Sequence, residues 1–265
     1  MKKPTSGTLC GLHTRTLLVK AISLSLLLGF APVVAHAQEQ SNAAPAAAPT
    51  GVVSSNLNPL QIALLHWYGA NQTTSFTVGS SPFGVAFDGA NMWISNFNTG
   101  KVTKVRANDG FALGTFTVGG GPTTLAYDGA NMWVANSHTN NVTKLRGSDG
   151  TVLGTFTVGA GPTGICFDGA NLWVTNVNTN TVTKLRASDG TVLGTFSAGA
   201  GPNGICFDGA NIWVTDFSST TVKELLASTG ATIGTFSVGS APTEAAFDGA
   251  HVWVTNFGGT TVSKL

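Results

Sequence analysis

Charge is scarce in this 265-residue chain, where Asp, Glu, Lys and Arg together make up 9% of the sequence. Scarcity on that scale excludes a charged helical bundle and a polar disordered chain. Long apolar runs are nearly missing as well. A single stretch, Ala21 to Val34, approaches spanning length, which excludes a multi-pass membrane protein. There is no Gly-X-Y period, so the chain is not collagen-like. What the sequence has in quantity is glycine, with 34 residues, and apolar side chains, at 42%. Helix interiors tolerate glycine poorly and tight turns between strands use it constantly, so the composition points to an all-β protein with a sizeable core.

The apolar stretch has an address of its own. Lys2, Lys3, Arg15 and Lys20 precede it and Ala35-His36-Ala37 follows it, the layout of a secretory signal peptide over residues 1–37 cleaved before Gln38. A retained anchor is the other reading. Four of the 13 basic residues and none of the 12 acidic ones lie in this segment, so the remainder carries nine against twelve, a net −3. A mildly acidic domain without a basic footprint is not expected to bind nucleic acid. The expectation is a periplasmic or secreted protein with no membrane span after cleavage. Residues 38–57 read as a flexible Ala/Pro/Ser-rich linker. Residues 58–70 read as a short helix, with Asn58 as cap and Pro59 in its first turn, apolar nearly all round and suited to plug one face of the domain or to meet a partner.

From residue 71 to 265 the chain repeats every 40 residues. Phe87-Asp88-Gly89-Ala90-Asn91-Met92-Trp93 recurs at 127–133, 167–173, 207–213 and 247–253, with Pro at 82, 122, 162, 202 and 242. A period near 40 without helical patterning predicts β-propeller blades of four antiparallel strands. In the unit 161–200 the strands are expected at Gly164 to Phe167, Leu172 to Thr175, Thr181 to Arg186 and Val192 to Ala198, separated by turns rich in Asp, Gly and Asn. Residues 81–240 hold four complete units and 241–265 three strands of a fifth. The segment 73–78 resembles the missing fourth strand, so five blades are expected, with this N-terminal strand closing the last one. A fragment of a larger ring is the alternative.

Trp173-Val174-Thr175-Asn176, Asn180-Thr181-Val182-Thr183, Gly194-Thr195-Phe196 and Pro202-Asn203-Gly204-Ile205 resemble the YVTN-type β-propeller repeat, with Trp in place of the first Tyr. The resemblance spans about residues 71–265. It implies an exported or periplasmic propeller, often seven-bladed, that binds at the central channel. Streptogramin B lyases and NHL-repeat propellers are related in architecture.

Residues that recur in every unit are expected to build the blade. Asp88, Asp128, Asp168, Asp208 and Asp248 should close their own hairpins, and the five tryptophans from Trp93 to Trp253 should pack between blades. Arg106/Asp109, Arg146/Asp149 and Arg186/Asp189 read as ion pairs across the outer hairpin, lost together where Leu226 and Thr229 stand. Glu224 replaces a recurring Lys and is expected to pair with Lys184 or Lys264. Cys166 and Cys206 hold equivalent positions in adjacent blades, too far apart for a disulfide whose Cα atoms must lie within ~7 Å.

Residues that differ between units are the candidates for function. At the start of the innermost strands these are Phe83, Thr123, Thr163, Asn203 and Thr243, followed by Glu244 where other units have Gly or Thr. In the loops between second and third strands they are Phe97, His138, Asp216, Phe217 and Phe257. Both sets should share one face at the channel mouth. No acid–base pair converges in the sequence and no metal-ligand spacing is present, so neither catalytic residues nor a metal or other cofactor is expected. The reading is a scaffold that binds a small molecule or protein through the channel face. The alternative is a lyase or lactonase-like hydrolase, and His138 is the one histidine placed to serve it.

Overall fold

A computed structural model describes residues 75–265. The expected signal peptide, linker and helix lie outside the described residues. Nineteen strands form five antiparallel sheets. The first contains β1 (Pro82–Phe87), β2 (Asn91–Asn96), β3 (Lys101–Arg106) and β4 (Ala112–Thr117), the second β5 (Pro122–Tyr127), β6 (Asn131–Asn136), β7 (Asn141–Arg146) and β8 (Val152–Thr157). The third holds β9 (Pro162–Phe167), β10 (Asn171–Asn176), β11 (Thr181–Arg186) and β12 (Val192–Ser197), and the fourth β13 (Pro202–Phe207), β14 (Asn211–Asp216), β15 (Thr221–Leu226) and β16 (Thr232–Ser237). The fifth has only β17 (Pro242–Phe247), β18 (Val252–Asn256) and β19 (Thr261–Lys264). Each sheet is a meander in chain order. Successive sheets pack face to face, with first strands side by side (β1 on β5, β5 on β9, β9 on β13, β13 on β17). These are propeller blades, with strands within two residues of those expected.

The core lies between the blades. Trp93 packs with Leu125, Met132, Val134 and Leu145 of the second blade, and Trp133 with Ile165, Leu172, Val174 and Leu185 of the third. Trp173 and Trp213 repeat the arrangement on the next pair. Burying such a ring removes roughly 200 Å² from water, an upper estimate of about 5 kcal/mol at ~25 cal/mol per Å².

Polar groups fix each ring. Asp88 Oδ1 accepts the backbone N–H of Ala90 and Asn91 at 2.9 and 2.7 Å, which closes the hairpin, while Oδ2 accepts the Trp93 indole N–H at 2.8 Å. All five Asp–Trp pairs repeat this. Burial opposes the charge on Asp88, but the indole and amide donors outweigh it and hold the carboxyl down to about 2. Across the β2–β3 ladder, Lys104 is the direct partner of Trp93. Its Nζ sits over the indole ring, 4.8 Å from the centroid, and donates to the Gly147 carbonyl of the next blade at 2.6 Å. Lys144 and Lys184 reach Ala187 and Ala227 in the same way. The recurring lysine is therefore a latch between blades.

The outer hairpins carry the three expected Arg–Asp pairs at 3.0–3.2 Å, about half exposed. Their turns need glycine. Gly150 and Gly190 adopt φ of 76°, and Phe116 and Phe156 of the preceding blade lie where a Cβ would project. Both cysteines are free, with burial pushing the Cys206 thiol up to about 12 and Cys166 also well up.

Two expectations require correction. Residues 75–78 form no strand, and the β17–β19 sheet keeps three strands, so this segment does not complete the fifth blade. The segment takes the place that the outermost strand of a preceding blade would hold, but β19 does not reach it to pair. Phe76 lies on Gly110 of the first blade as Phe116 lies on Gly150, and the Thr103 hydroxyl donates to the Val78 carbonyl at 2.5 Å. Glu224 makes no ion pair either. It accepts from Asn211 Nδ2 at 2.8 Å, and desolvation, with the nearby Asp208 charge, raises its carboxyl above the ordinary range.

Candidate functional site

The loops after the second strands and the entries to the first strands meet on one face, because backbone bonds tie them together. Phe97 N–H donates to Ser81 O, Ser137 to Gly121 O, Phe217 to Gly201 O and Phe257 to Ala241 O, at 2.9–3.0 Å. The shared face inferred from the repeat is thus built by hydrogen bonds between a loop and its own blade's entry turn.

Two aromatic clusters stand on it. Phe83, Phe97 and His138 form the first, with ring centroids 6.0 Å apart between the phenylalanines and 4.9 Å between Phe97 and the imidazole, edge to face. This cluster bridges the first and second blades. Phe217 and Phe257 form the second, 6.2 Å apart, bridging the fourth and fifth. Phe83 and Phe257 are 64% and 76% exposed, an unusual cost for large apolar rings unless they meet something. Ser137 holds the His138 loop in place by donating its hydroxyl to Gly121 O at 2.9 Å.

Glu244 is the third residue of β17, on the wall formed by the first strands. The equivalent positions are Gly84, Thr124, Gly164 and Gly204, so the wall beside it is largely bare backbone. At Gly204 any side chain would collide with the Thr243 carbonyl and the Glu244 Cα. Glu244 is exposed, yet protein crowds its carboxyl, and the loss of water pushes the group above the usual carboxylate range. It is the one carboxylate among these five positions.

Other candidates fall away. Thr123 is buried and spends its hydroxyl on the carbonyls of Ala135 and Thr163, at 3.2 and 3.0 Å. Thr163 pairs with the Thr175 hydroxyl at 3.1 Å, and Thr243 donates to Ala241 O at 3.1 Å. Asn203, half-buried, contributes its carbonyl to Thr175 at 2.7 Å. Thr123, Thr163 and Asn203 thus join neighbouring blades, while Thr243 is bonded within its own entry turn.

Asp216 is also corrected. It ends β14 and is buried, where the other blades have Asn96, Asn136, Asn176 and Asn256. Asn176 donates to Thr181 and Thr183; Asp216 instead accepts the Thr221 hydroxyl at 2.8 Å. Lys223 takes the place corresponding to Thr183, and its charge acts on the carboxylate without the direct side-chain bond that Asn176 makes to Thr183. Burial nevertheless leaves the Asp216 carboxyl raised, despite the Thr221 bond and the Lys223 charge.

Chemically, the face offers aromatic surface, one imidazole and one carboxylate. Among the described residues no group of three or more His, Cys, Asp and Glu side chains comes together as a metal site.

No family model matches the sequence, and no curated protein matches it. Solved structures do. Hydrazine synthase of Kuenenia stuttgartiensis superposes with a TM-score of 0.62 at 22% identity, over 70% of this chain and 58% of that one. A streptogramin B lyase gives 0.58 at 16%, over 66% and 62%. A Desulfotomaculum acetoxidans protein of unknown function gives 0.63 at 15%, over 71% and 66%. The chain thus spans about three fifths of the length of the structures it matches. At these identities the likeness concerns architecture, and with the stacked four-stranded sheets it establishes the fold as that of a β-propeller.

Proposed function

We propose that this chain is an exported β-propeller that binds an apolar ligand carrying a positive charge, an amine-bearing aromatic peptide being the simplest example, through the face built by the loops after its second strands. The observation that carries this reading is that the aromatic side chains of that face, exposed Phe83, Phe217 and Phe257 and half-buried Phe97, sit at positions where the repeat departs from itself and form two clusters, each with a ring contact across blades, Phe97 to His138 and Phe217 to Phe257. Aromatic rings attract both apolar groups and cations, and Glu244 adds a carboxylate on the adjoining wall. The recurring aspartates are engaged in their own hairpins and tryptophans, and Lys104, Lys144 and Lys184 in latching one blade to the next, which leaves these divergent residues as the available chemistry of the face. Export rests on the leader-like residues 1–37, and the resemblance to the YVTN-type repeat supports both export and a binding role.

A second reading is enzymatic. The fold likeness to a streptogramin B lyase and the presence of His138 beside Phe97 favour it. Calorimetric titration with acetyl-Phe-Lys-Phe-amide tests the first reading, with a streptogramin B incubation, with and without Mg²⁺, beside it. Binding is expected to weaken about tenfold (~1.4 kcal/mol) in Phe257→Ala and in Glu244→Gln at neutral pH, with melting unchanged. Binding should also weaken as acid protonates Glu244 through its raised pKa. Turnover of the cyclic compound that is lost in His138→Ala would replace the binding role with the enzymatic one.

A further inference from the structure

The blade–blade interface occurs four times within the chain, and each time it has the same two halves. One half is the Trp-bearing face, with a lysine latch at the first three interfaces and Glu224 in its place at the fourth. The other is the face that receives it, made by Leu125, Ile165, Ile205 or Ala245 of the first strand and apolar residues of the second. At the two ends of the array each half stands alone. On the fifth blade Trp253 is 40% and Val262 56% exposed, whereas Trp93, Trp133 and Trp173 and the equivalent Val102, Val142 and Val182 are fully buried. On the first blade Val85 is 63% exposed where Leu125, Ile165 and Ile205 are covered. Among the described residues both faces are open at once, so neither end of the array covers the other.

The polar parts are divided in the same way. Lys264 lies over the Trp253 ring at 5.4 Å, as its equivalents do, but has no carbonyl partner among the described residues. By the 40-residue spacing, its counterpart carbonyls are those of Ala107 and Asn108 on the first blade. Likewise β19 has a strand on one side only, while residues 75–78 lie in front of the first blade, with Phe76 seated on Gly110 where the outermost strand of a preceding blade would put its phenylalanine. An acceptor edge and a candidate fourth strand therefore sit at opposite ends.

We propose that a second copy of this chain covers these faces, head to tail, with the fifth blade of one copy docking on the first blade of the next. Trp253 then packs on Val85, Lys264 donates to the carbonyls of Ala107 and Asn108, and residues 75–78 of the receiving copy pair with β19 of the incoming one. The contact continues an interface that the chain already makes with itself, which is why a copy of the chain fits it. A heterologous contact of this kind closes a ring or extends a filament according to its rotation.

The test is the mass of the purified full chain by sedimentation across a concentration series, for native protein and for Trp253→Glu and Val85→Glu. Both substitutions are at exposed positions, and melting curves check that the blades remain folded. The native chain is expected to associate with rising concentration, and each variant alone to associate at least about tenfold more weakly. An equimolar mixture should form one-to-one heterodimers, because Trp253→Glu retains an intact first blade and Val85→Glu an intact fifth. A native chain that stays monomeric at every concentration overturns the proposal, whether its ends close on one another or remain open. Association that survives in either variant alone overturns the head-to-tail pairing, and so does a mixture that stays monomeric.

Discussion

At the residue scale the recurring aspartates do two jobs with one carboxylate, closing a hairpin and holding a tryptophan. Asp88 and Asp248 are both held down to about 2, and the other three are lowered in the same direction. A carboxyl depressed by folding contributes stability that is present above its unfolded value, near 3.8, and is lost as pH falls toward 2. The melting temperature is thus expected to fall steeply between about pH 4 and pH 2, measured by circular dichroism, and the loss should be smaller in Asp168→Asn. That variant should also be less stable at pH 7, by about 1–3 kcal/mol for a buried donor left without its acceptor. Asp216 has the opposite sign. Its raised carboxyl is favourable when protonated and becomes a burden as pH rises through its folded value, so the double variant Asp216→Asn/Lys223→Thr should gain stability over the native chain between pH 4 and pH 7. A gain that did not change with pH would assign the effect to packing. The turn role of the aspartates was legible in the sequence, because Asp-Gly recurs at a fixed place. The indole bond was not, since it depends on a ring five residues away folding back across the hairpin. Asp216 was misplaced in a variable loop although its 40-residue spacing from Asn96, Asn136 and Asn176 marks it as a strand end.

At the element scale the repeat made the strands readable to within two residues, because every turn carries residues that tolerate left-handed backbone or bond their own amides. The same repetition exposes where an element is strained. Gly121, Gly161 and Gly201 enter their first strands at φ of 62–66°, but the equivalent Ser81 and Ala241 adopt 55° and 48° with a side chain attached. Such a conformation costs a non-glycine residue roughly 1–2 kcal/mol. Ala241→Gly should therefore raise the melting temperature by about 2–4 °C per kcal/mol recovered. An unchanged melting point would mean that the entry turn relaxes without cost. The latch between elements was hidden from sequence reading for a different reason. Lys104, Lys144 and Lys184 recur on one strand and look like a stripe of charge, and only the offset between adjacent blades shows that each reaches carbonyls 43 residues ahead.

At the scale of the whole molecule, identical blades make the core legible and the site faint. Residues that repeat are occupied in holding Trp, turn and neighbouring blade, so little is left over for a ligand. Phe83, Phe97, His138, Phe217, Glu244 and Phe257 were visible in the sequence as departures from the repeat, and the structure gathers five of them into two aromatic clusters. Thr123 and Asp216 were equally visible and are structural, because sequence variation alone does not tell a residue facing solvent from one bonded to the next blade. The closing strand was misjudged because similarity to an outer strand says where residues 75–78 could lie, and Phe76 does lie on Gly110 as an outer-strand phenylalanine would, but β19 does not reach it to pair. The most direct measurement is a calorimetric titration of acetyl-Phe-Lys-Phe-amide into a variant whose face has been returned to the third blade's pattern: Phe83→Thr, Phe97→Val, His138→Asn, Phe217→Val, Glu244→Gly and Phe257→Val. Affinity lost by more than about tenfold with the melting temperature retained is the predicted result, and affinity equal to that of the native chain would contradict a binding role for this face.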